Sequence, residues 1–183
     1  PLSSHEVSLG YRNVNDPSVY IKARLKNEEN TYFLVWTTTP WTLISNVALA
    51  VGPAVLYVKV RLNDEYLILA QERLSVLSDD IEIVDTFNGS ELVGLEYDGW
   101  FDFFPVDKKI WYVIPADFVT TTEGSGIVHI APAYGEDDYN TAQIHDLPII
   151  QAVDTKGEFK PEASPFTGKF FKEADPEIIA DLK

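Results

Sequence analysis

The chain contains no cysteine and no methionine among its 183 residues. Without cysteine there is no disulfide and no cysteine-ligated metal, a composition compatible with the cytosol, where the protein is expected to work. A complete translated protein normally begins with methionine, so the sequence is expected to be a segment excised or processed from a longer chain. Positive charge is scarce: 14 Lys and Arg stand against 29 Asp and Glu, a net charge of −15. Proteins that hold nucleic acid by themselves usually carry a basic stripe, because phosphate neutralisation supplies most of their affinity. The densest basic spot here is Lys108-Lys109. An acidic surface also favours solubility. Long apolar runs are missing as well. No stretch reaches ~18 uninterrupted apolar residues, so no membrane span or membrane partner is expected. The N-terminus has no basic-then-apolar leader pattern.

What is present suffices for a core. With 45% apolar and 13% aromatic residues the chain is globular, and its length suits one domain. No internal repeat or low-complexity tract interrupts it. Strand-like runs are expected at 19–25, 32–37, 56–61, 66–70, 81–87, 111–114, 127–130 and 149–153. Asn27-Glu28-Glu29-Asn30 joins the first two, and Asn63-Asp64 makes a hairpin of the next pair. Many short strands with polar turns predict a mainly β fold, a closed or nearly closed β-barrel with peripheral helices. Short helices are expected at Gln71 to Leu77 and from Asp137 or Asp138 to His145. A third is expected to start at Asp175-Pro176-Glu177, with Asp as cap and Pro at the first helical position. The aromatic cluster Trp100, Phe101, Phe103 and Phe104 reads as packing rather than as a base-stacking platform.

Two runs carry the chemistry. Phe33-Leu34-Val35-Trp36-Thr37-Thr38-Thr39-Pro40-Trp41-Thr42 is a buried strand running into four hydroxyls and a proline, which ends ladder pairing because it has no N–H to donate. Alternation aims Thr37 and Thr39 at one face and Thr38 at the other. Such hydroxyls can orient a water or an ester oxygen, although threonine also simply favours strands. Gly124-Ser125-Gly126-Ile127-Val128-His129-Ile130-Ala131-Pro132-Ala133-Tyr134-Gly135-Glu136-Asp137-Asp138 again goes turn, strand, proline break, then an acidic cluster. Other chemistries lack their parts. His5, His129 and His145 have no metal-ligand spacing, so neither a catalytic zinc nor another cofactor is expected. Gly124-Ser125-Gly126 lacks the lysine of a phosphate loop, and Ser125 lacks the pattern of a nucleophile elbow.

Together the two runs resemble the editing domain of isoleucyl-tRNA synthetase, the large insertion in the catalytic domain of the class I synthetases for isoleucine, valine and leucine. The first is similar to that family's threonine-rich peptide, continuing through Leu43-Ile44-Ser45 to Asn46. The second is similar to its Gly-x-Gly…His…Ala-Pro-Ala…Gly-Glu-Asp-Asp segment. Valyl and leucyl relatives usually carry Arg after the second Thr and an acidic residue after the Pro; Thr39 and Trp41 stand there, so the isoleucyl branch fits best. The resemblance covers nearly the whole chain and implies a single editing domain over 1–183, with 1–10 and 169–183 connecting to the catalytic domain of a parent synthetase.

The resemblance implies hydrolysis of valine mis-esterified to the acceptor end of isoleucine tRNA, or of valyl-adenylate, by a positioned water without a metal. It places Asp138 on the substrate α-ammonium, Thr37, Thr38 and Thr39 on the scissile ester, water or ribose, and His129 in the substrate pocket. Trp36 and Asn46 are the further substrate-binding candidates. Each has a plainer alternative: Asp138 as a helix cap, His129 and Trp36 as core, Asn46 as a turn residue. With so little basic charge the segment is expected to hold tRNA weakly by itself. The synthetic signatures His-Ile-Gly-His and Lys-Met-Ser-Lys-Ser are absent, so no charging activity is expected of this segment. The competing readings are a non-catalytic tRNA-docking or structural insertion, and a valyl-tRNA synthetase editing domain acting on threonine.

Overall fold

The structure, a computed structural model, describes residues 17–77 and 80–182. The expected inbound connection at 1–10 lies outside them. Five strands form one sheet in the order β1-β2-β5-β4-β6. They are β1 (Val19–Arg24), β2 (Thr31–Thr37), β4 (Leu56–Leu62), β5 (Glu65–Ala70) and β6 (Glu82–Asn88). A second sheet, ordered β7-β3-β8, is built from β3 (Ala48–Val51), β7 (Tyr112–Pro115) and β8 (Ile127–Ile130). The fold is therefore mainly β, with peripheral helices. Among the described residues the ladders form these two sheets and do not join them into the single closed barrel that the strand pattern suggested.

The polar turns act as expected. β1 and β2 pair antiparallel around the turn at 27–30, where Asn30 takes a positive φ of 51°. The two-residue link Asn63-Asp64 closes β4 onto β5, with Asn63 at φ 56°; asparagine tolerates the left-handed region better than most residues.

Two strand expectations change. β3 carries no alternation to announce it, because it is the central strand of its sheet and all four of its residues are buried. Conversely, 149–153 forms no strand beyond a bridge from Val153 to Phe159. The N–H groups of Ala152 and Val153 donate to the Tyr134 hydroxyl, at 2.8 and 3.2 Å, and not to a neighbouring strand.

The helices also differ from expectation. Gln71–Val76 is a 3₁₀ turn whose Leu74 and Val76 cover an apolar layer of Leu34, Val58, Val60, Leu67 and Leu69. One helical turn, α1, spans Gly89–Leu92, and α2 spans Glu136–Ile144. The last helix, α3, spans Phe171–Asp181 and starts four residues before the expected cap, so Asp175 and Pro176 lie inside it. No described helix is long and apolar enough to cross a membrane.

The main core lies where β2, β3, β5 and β8 face one another, around Phe33, Val35, Leu49, Val51, Ile68 and Ile127. Burying such side chains stabilises the fold by roughly 1.5–3 kcal/mol each. A separate cluster joins Ile44, Phe159, Phe166, Ala174 and Ile178, fixing α3 against the segment that follows β2. The aromatic run at 100–104 feeds these clusters as packing: Phe101 and Phe103 lie 5.4 Å apart, and the Trp100 indole N–H donates to the Lys22 carbonyl at 2.8 Å. β2 and β8 consequently end side by side, each breaking at a proline, Pro40 and Pro132.

Candidate active site

A cavity of about 290 Å³ opens at these two strand ends. Its lining includes Trp36, Thr37, Thr38, Thr39, His129 and Asp138. Six of the seven residues singled out in the sequence therefore meet in one place. Asn46 does not join them. It is 3% exposed; its Nδ2 donates to the Ala48 carbonyl at 2.9 Å and its Oδ1 accepts from the Tyr97 hydroxyl at 2.6 Å. Its amide thus braces the backbone where β3 begins.

The threonines divide as the strand geometry requires. Thr37 is buried and Thr38 exposed. Thr37 Oγ1 accepts from the Thr39 N–H at 3.1 Å and lies 3.3 Å from Thr39 Oγ1, closing a tight polar bend after the ladder ends. Pro40 then opens a 3₁₀ turn over Pro40–Ser45, which folds Thr42 back toward the strand. Its hydroxyl donates to the Thr39 carbonyl at 2.8 Å and lies 3.1 Å from His129 Nε2. Thr42 also lines the cavity, and sequence reasoning did not single it out. Its place just after the proline, at the spacing of one 3₁₀ turn from Thr39, was the available signal.

His129 sits on β8 opposite Leu49 and is 8% exposed. Because the Thr42 proton goes to a carbonyl, the Thr42 oxygen is free to accept from Nε2–H. Thr37 Oγ1 is a second hydroxyl on Nε2, at 3.4 Å; with the imidazole proton on Nε2 both threonine oxygens accept it and Nδ1 is left a bare acceptor. Nδ1 is buried and has no hydrogen-bond partner among the described residues. Burial pushes the His129 pKa down to about 4, so the ring is neutral at physiological pH and a weak base.

Asp138 is the third residue of α2, whose N-cap is Gly135. Its Oδ1 accepts from the Ala131 N–H at 2.7 Å, tying the helix start to the end of β8. A Cβ on Gly135 would lie 2.4 Å from Oδ2, so the glycine leaves room for the carboxylate to fold back over the chain as it does here. Desolvation raises the Asp138 pKa, against the lowering effect of the backbone hydrogen bonds. A cation brought alongside would offset that desolvation. Among the described residues, Glu123 is the second carboxylate on the cavity lining, and no Lys or Arg belongs to that lining. The electrostatics favour a bound cation.

The opposite wall is the loop before β8. Gly124 has φ 67°, and a Cβ there would approach the Trp36 ring to 2.9 Å. Trp36 is fixed by its indole N–H to Ser18 Oγ at 2.6 Å. Arg73 holds the loop from outside, donating from Nε to the Gly124 carbonyl at 2.8 Å and from Nη1 to the Thr122 carbonyl at 3.3 Å. The buried Tyr57 hydroxyl donates to the Gly126 carbonyl at 2.7 Å. Neither contact was legible from residue spacing, since Arg73 and Tyr57 act from other elements. The arrangement offers fixed hydroxyls, a neutral imidazole and a cation-seeking carboxylate around a small cavity. Those parts suit the positioning of a water against an already activated ester.

Comparisons with known proteins agree with one another. The family model for the editing domain of leucyl-tRNA synthetase matches residues 17–174. Isoleucine–tRNA ligase of Clostridium acetobutylicum is 51% identical over 182 residues, which is 100% of this chain and 18% of that protein. Isoleucine–tRNA ligase of Bacillus thuringiensis is 49% identical over 183 residues, 99% of this chain and 18% of that protein. The chain thus spans about a fifth of the length of these relatives. In fold it is similar to the crystal structure of GlLeuRS-CP1, with a TM-score of 0.71 at 17% identity, covering 91% of this chain and 95% of that one. The editing domain of the P. falciparum cytosolic leucyl-tRNA synthetase gives a TM-score of 0.65 at 13% identity, covering 90% and 97%.

Proposed function

The chain belongs to the leucyl-tRNA synthetase editing-domain family, over a stretch that isoleucine–tRNA ligases share, and on that footing we propose that it hydrolyses valine mis-attached to isoleucine tRNA. The observation that carries this reading is the convergence of Thr37, Thr38, Thr39, His129 and Asp138 on one cavity whose lining, among the described residues, bears carboxylates and no basic side chain. An aminoacyl ester carries its ammonium next to the scissile carbonyl, so a single small site must bind a cation and place a water.

In the proposed reaction Asp138 holds the α-ammonium, a charge-assisted contact. The hydroxyls of the threonine bend align water with the ester carbonyl and donate to the developing oxyanion. The tetrahedral intermediate collapses with loss of the ribose oxygen, which takes up the proton that water released. Valine and uncharged tRNA leave. His129, neutral and weakly basic, forms wall and support and does not serve as the base. Trp36 closes the side of the pocket next to the 124–126 loop. No cofactor takes part, and valyl-adenylate presents the same ammonium and a still more activated carbonyl, that of a mixed anhydride.

The need for a second site follows from magnitude. One methylene in an apolar pocket is worth only ~1–3 kcal/mol, and isoleucyl-tRNA synthetase is itself the standard example of that limit. A small second pocket accepts valine and excludes isoleucine by overlap, since a packed wall resists expansion. The residues 1–183 then form one editing domain, barrel-like in its two facing sheets, with 1–10 and 169–183 leading to the catalytic domain of a cytoplasmic parent synthetase. That parent delivers the acceptor end, which a chain of net charge −15 would hold weakly alone.

The test is a co-crystal of the full synthetase with a non-hydrolysable valyl-adenosine analogue, alongside deacylation of valyl-tRNA. The ammonium is expected at Asp138 and the carbonyl beside the threonine bend. An analogue bound elsewhere, or a synthetase that does not deacylate valyl-tRNA, refutes the proposal and leaves a docking or structural insertion.

A further inference from the structure

Asp175 stands out as a buried acid that the site described above does not use. It is 5% exposed and lies inside α3, far in sequence from the threonine bend. Its Oδ1 accepts from the backbone N–H of Trp41 at 2.9 Å, across 134 residues.

The choice of that N–H is informative. The 3₁₀ turn over Pro40–Ser45 has Thr39 as N-cap, and Thr39 makes no side-chain capping bond. Pro40 has no N–H, and the Thr42 N–H already donates to the Thr39 carbonyl at 3.0 Å. Trp41 therefore carries the donor at the head of the turn that local sequence leaves without a partner. An aspartate from another element supplies the cap, and its negative charge suits the N-terminal end of a helical turn.

The Trp41 indole is held on the same side. Its ring centroid lies 4.4 Å from Phe171 of α3 and 4.7 Å from Tyr134, which lines the cavity. The residue after Trp41 is Thr42, whose hydroxyl bonds the Thr39 carbonyl and approaches His129 Nε2. A carboxylate on α3 thus fixes the head of the turn that carries Thr42 and sets it against Thr39 and against His129 of β8.

We propose that Asp175 is a positioning residue for editing: by capping the Trp41 N–H it sets the placement of Thr39 and Thr42 against His129, and so the fit of the pocket to the smaller amino acid. This rests on the editing reading above. Without the cap the turn keeps its residues but loses the anchor of its first donor. The wall that excludes the larger side chain then relaxes.

The experiment uses the full synthetase with Asp175→Leu, which keeps an apolar shape of similar size but removes the acceptor, and Asp175→Asn, which keeps a carbonyl oxygen for Trp41. Deacylation of valyl- and isoleucyl-tRNA is measured for kcat and KM, with thermal melting alongside. A purely structural defect lowers the active fraction and scales both rates equally, leaving KM and the isoleucyl-to-valyl ratio in place. The expectation is that Asp175→Leu raises that ratio about tenfold, equivalent to about 1.4 kcal/mol, while Asp175→Asn stays within about twofold of wild type. Asp175→Leu with wild-type KM and ratio overturns the proposal, as does Asp175→Asn losing discrimination as fully as Asp175→Leu. Should the leucine variant not fold, Asp175→Ala takes its place with the same expectation, and the asparagine arm decides independently. A wild-type enzyme that deacylates neither substrate refutes the editing reading itself; one that deacylates valyl-tRNA while the variants behave alike refutes only the role of Asp175.

Discussion

The Thr42 hydroxyl and His129 Nε2 lie 3.1 Å apart, joining the turn after β2 to β8 across 87 residues. With the hydroxyl proton on the Thr39 carbonyl, 2.8 Å away, the Thr42 oxygen accepts from the imidazole Nε2–H. Thr42→Val keeps the branched shape and removes that acceptor, leaving the buried N–H only the longer contact to Thr37 Oγ1, 3.4 Å away. The loss is expected to be roughly 1–3 kcal/mol of stability, read as a lower urea midpoint at unchanged slope. Stability equal to wild type would show that the Thr42 contact contributes nothing that Thr37 Oγ1 cannot supply.

Asp138 has two duties that separate experimentally. Its hydrogen bond to the Ala131 N–H is structural, and its charge is the proposed anchor for the ammonium. Asp138→Asn keeps an acceptor and loses the charge, while Asp138→Ala loses both. Both are expected to lose deacylation of valyl-tRNA, at a cost of about 1.5–3 kcal/mol for the charge-assisted contact, with isoleucine activation followed as the control on the rest of the synthetase. Only Asp138→Ala is expected to lower the melting temperature appreciably. Undiminished deacylation by Asp138→Asn would remove the ammonium role and leave only the structural bond to the Ala131 N–H.

How far the sequence foretells this site depends on whether contacts are local. The strand ending at Thr37, the proline break and the helix start near Asp138 follow from short-range rules, and all are present. Family resemblance, rather than periodicity, named His129. What stayed hidden was tertiary. β3 is buried on both faces and has no alternation to read. Asp175-Pro176 has the chemistry of a helix start, yet α3 begins earlier and the aspartate caps a different turn instead. Asn46 is polar beside the threonine run, but the Tyr97 hydroxyl claims it. In each case a partner from a distant segment decided the outcome.

Gly124 and Gly94 offer a matched pair. Both have positive φ, 67° and 88°, but a Cβ on Gly124 meets the Trp36 ring at 2.9 Å, while one on Gly94 meets nothing within 4 Å. Alanine at either position carries the left-handed penalty, about 1–2 kcal/mol. Only Gly124→Ala should also displace Trp36 and raise KM for valyl-tRNA. Melting curves and deacylation kinetics on both variants check this. Equal kinetic effects would mean that the contact with Trp36 does not shape the pocket.

The buried imidazole predicts a pH dependence of stability with a definite sign. The His129 pKa is pushed down to about 4 in the folded protein, against ~6.5 when unfolded. Between those values the unfolded chain binds the proton and the folded chain does not, so stability rises with pH across that window and is flat above it. Read downward, stability is lost as pH falls from about 6.5 to about 4, by up to about 3 kcal/mol from this group. Asp138 works in the opposite direction: its pKa is raised by burial, so its contribution is lost as pH rises through the carboxylate range, and it partly masks the histidine near the acid end. His129→Gln can still donate to Thr42 but cannot titrate. Urea unfolding from pH 4 to 7.5 should therefore show a shallower acid slope for His129→Gln than for wild type. Identical slopes would mean that His129 keeps an ordinary pKa and reaches water in the folded state.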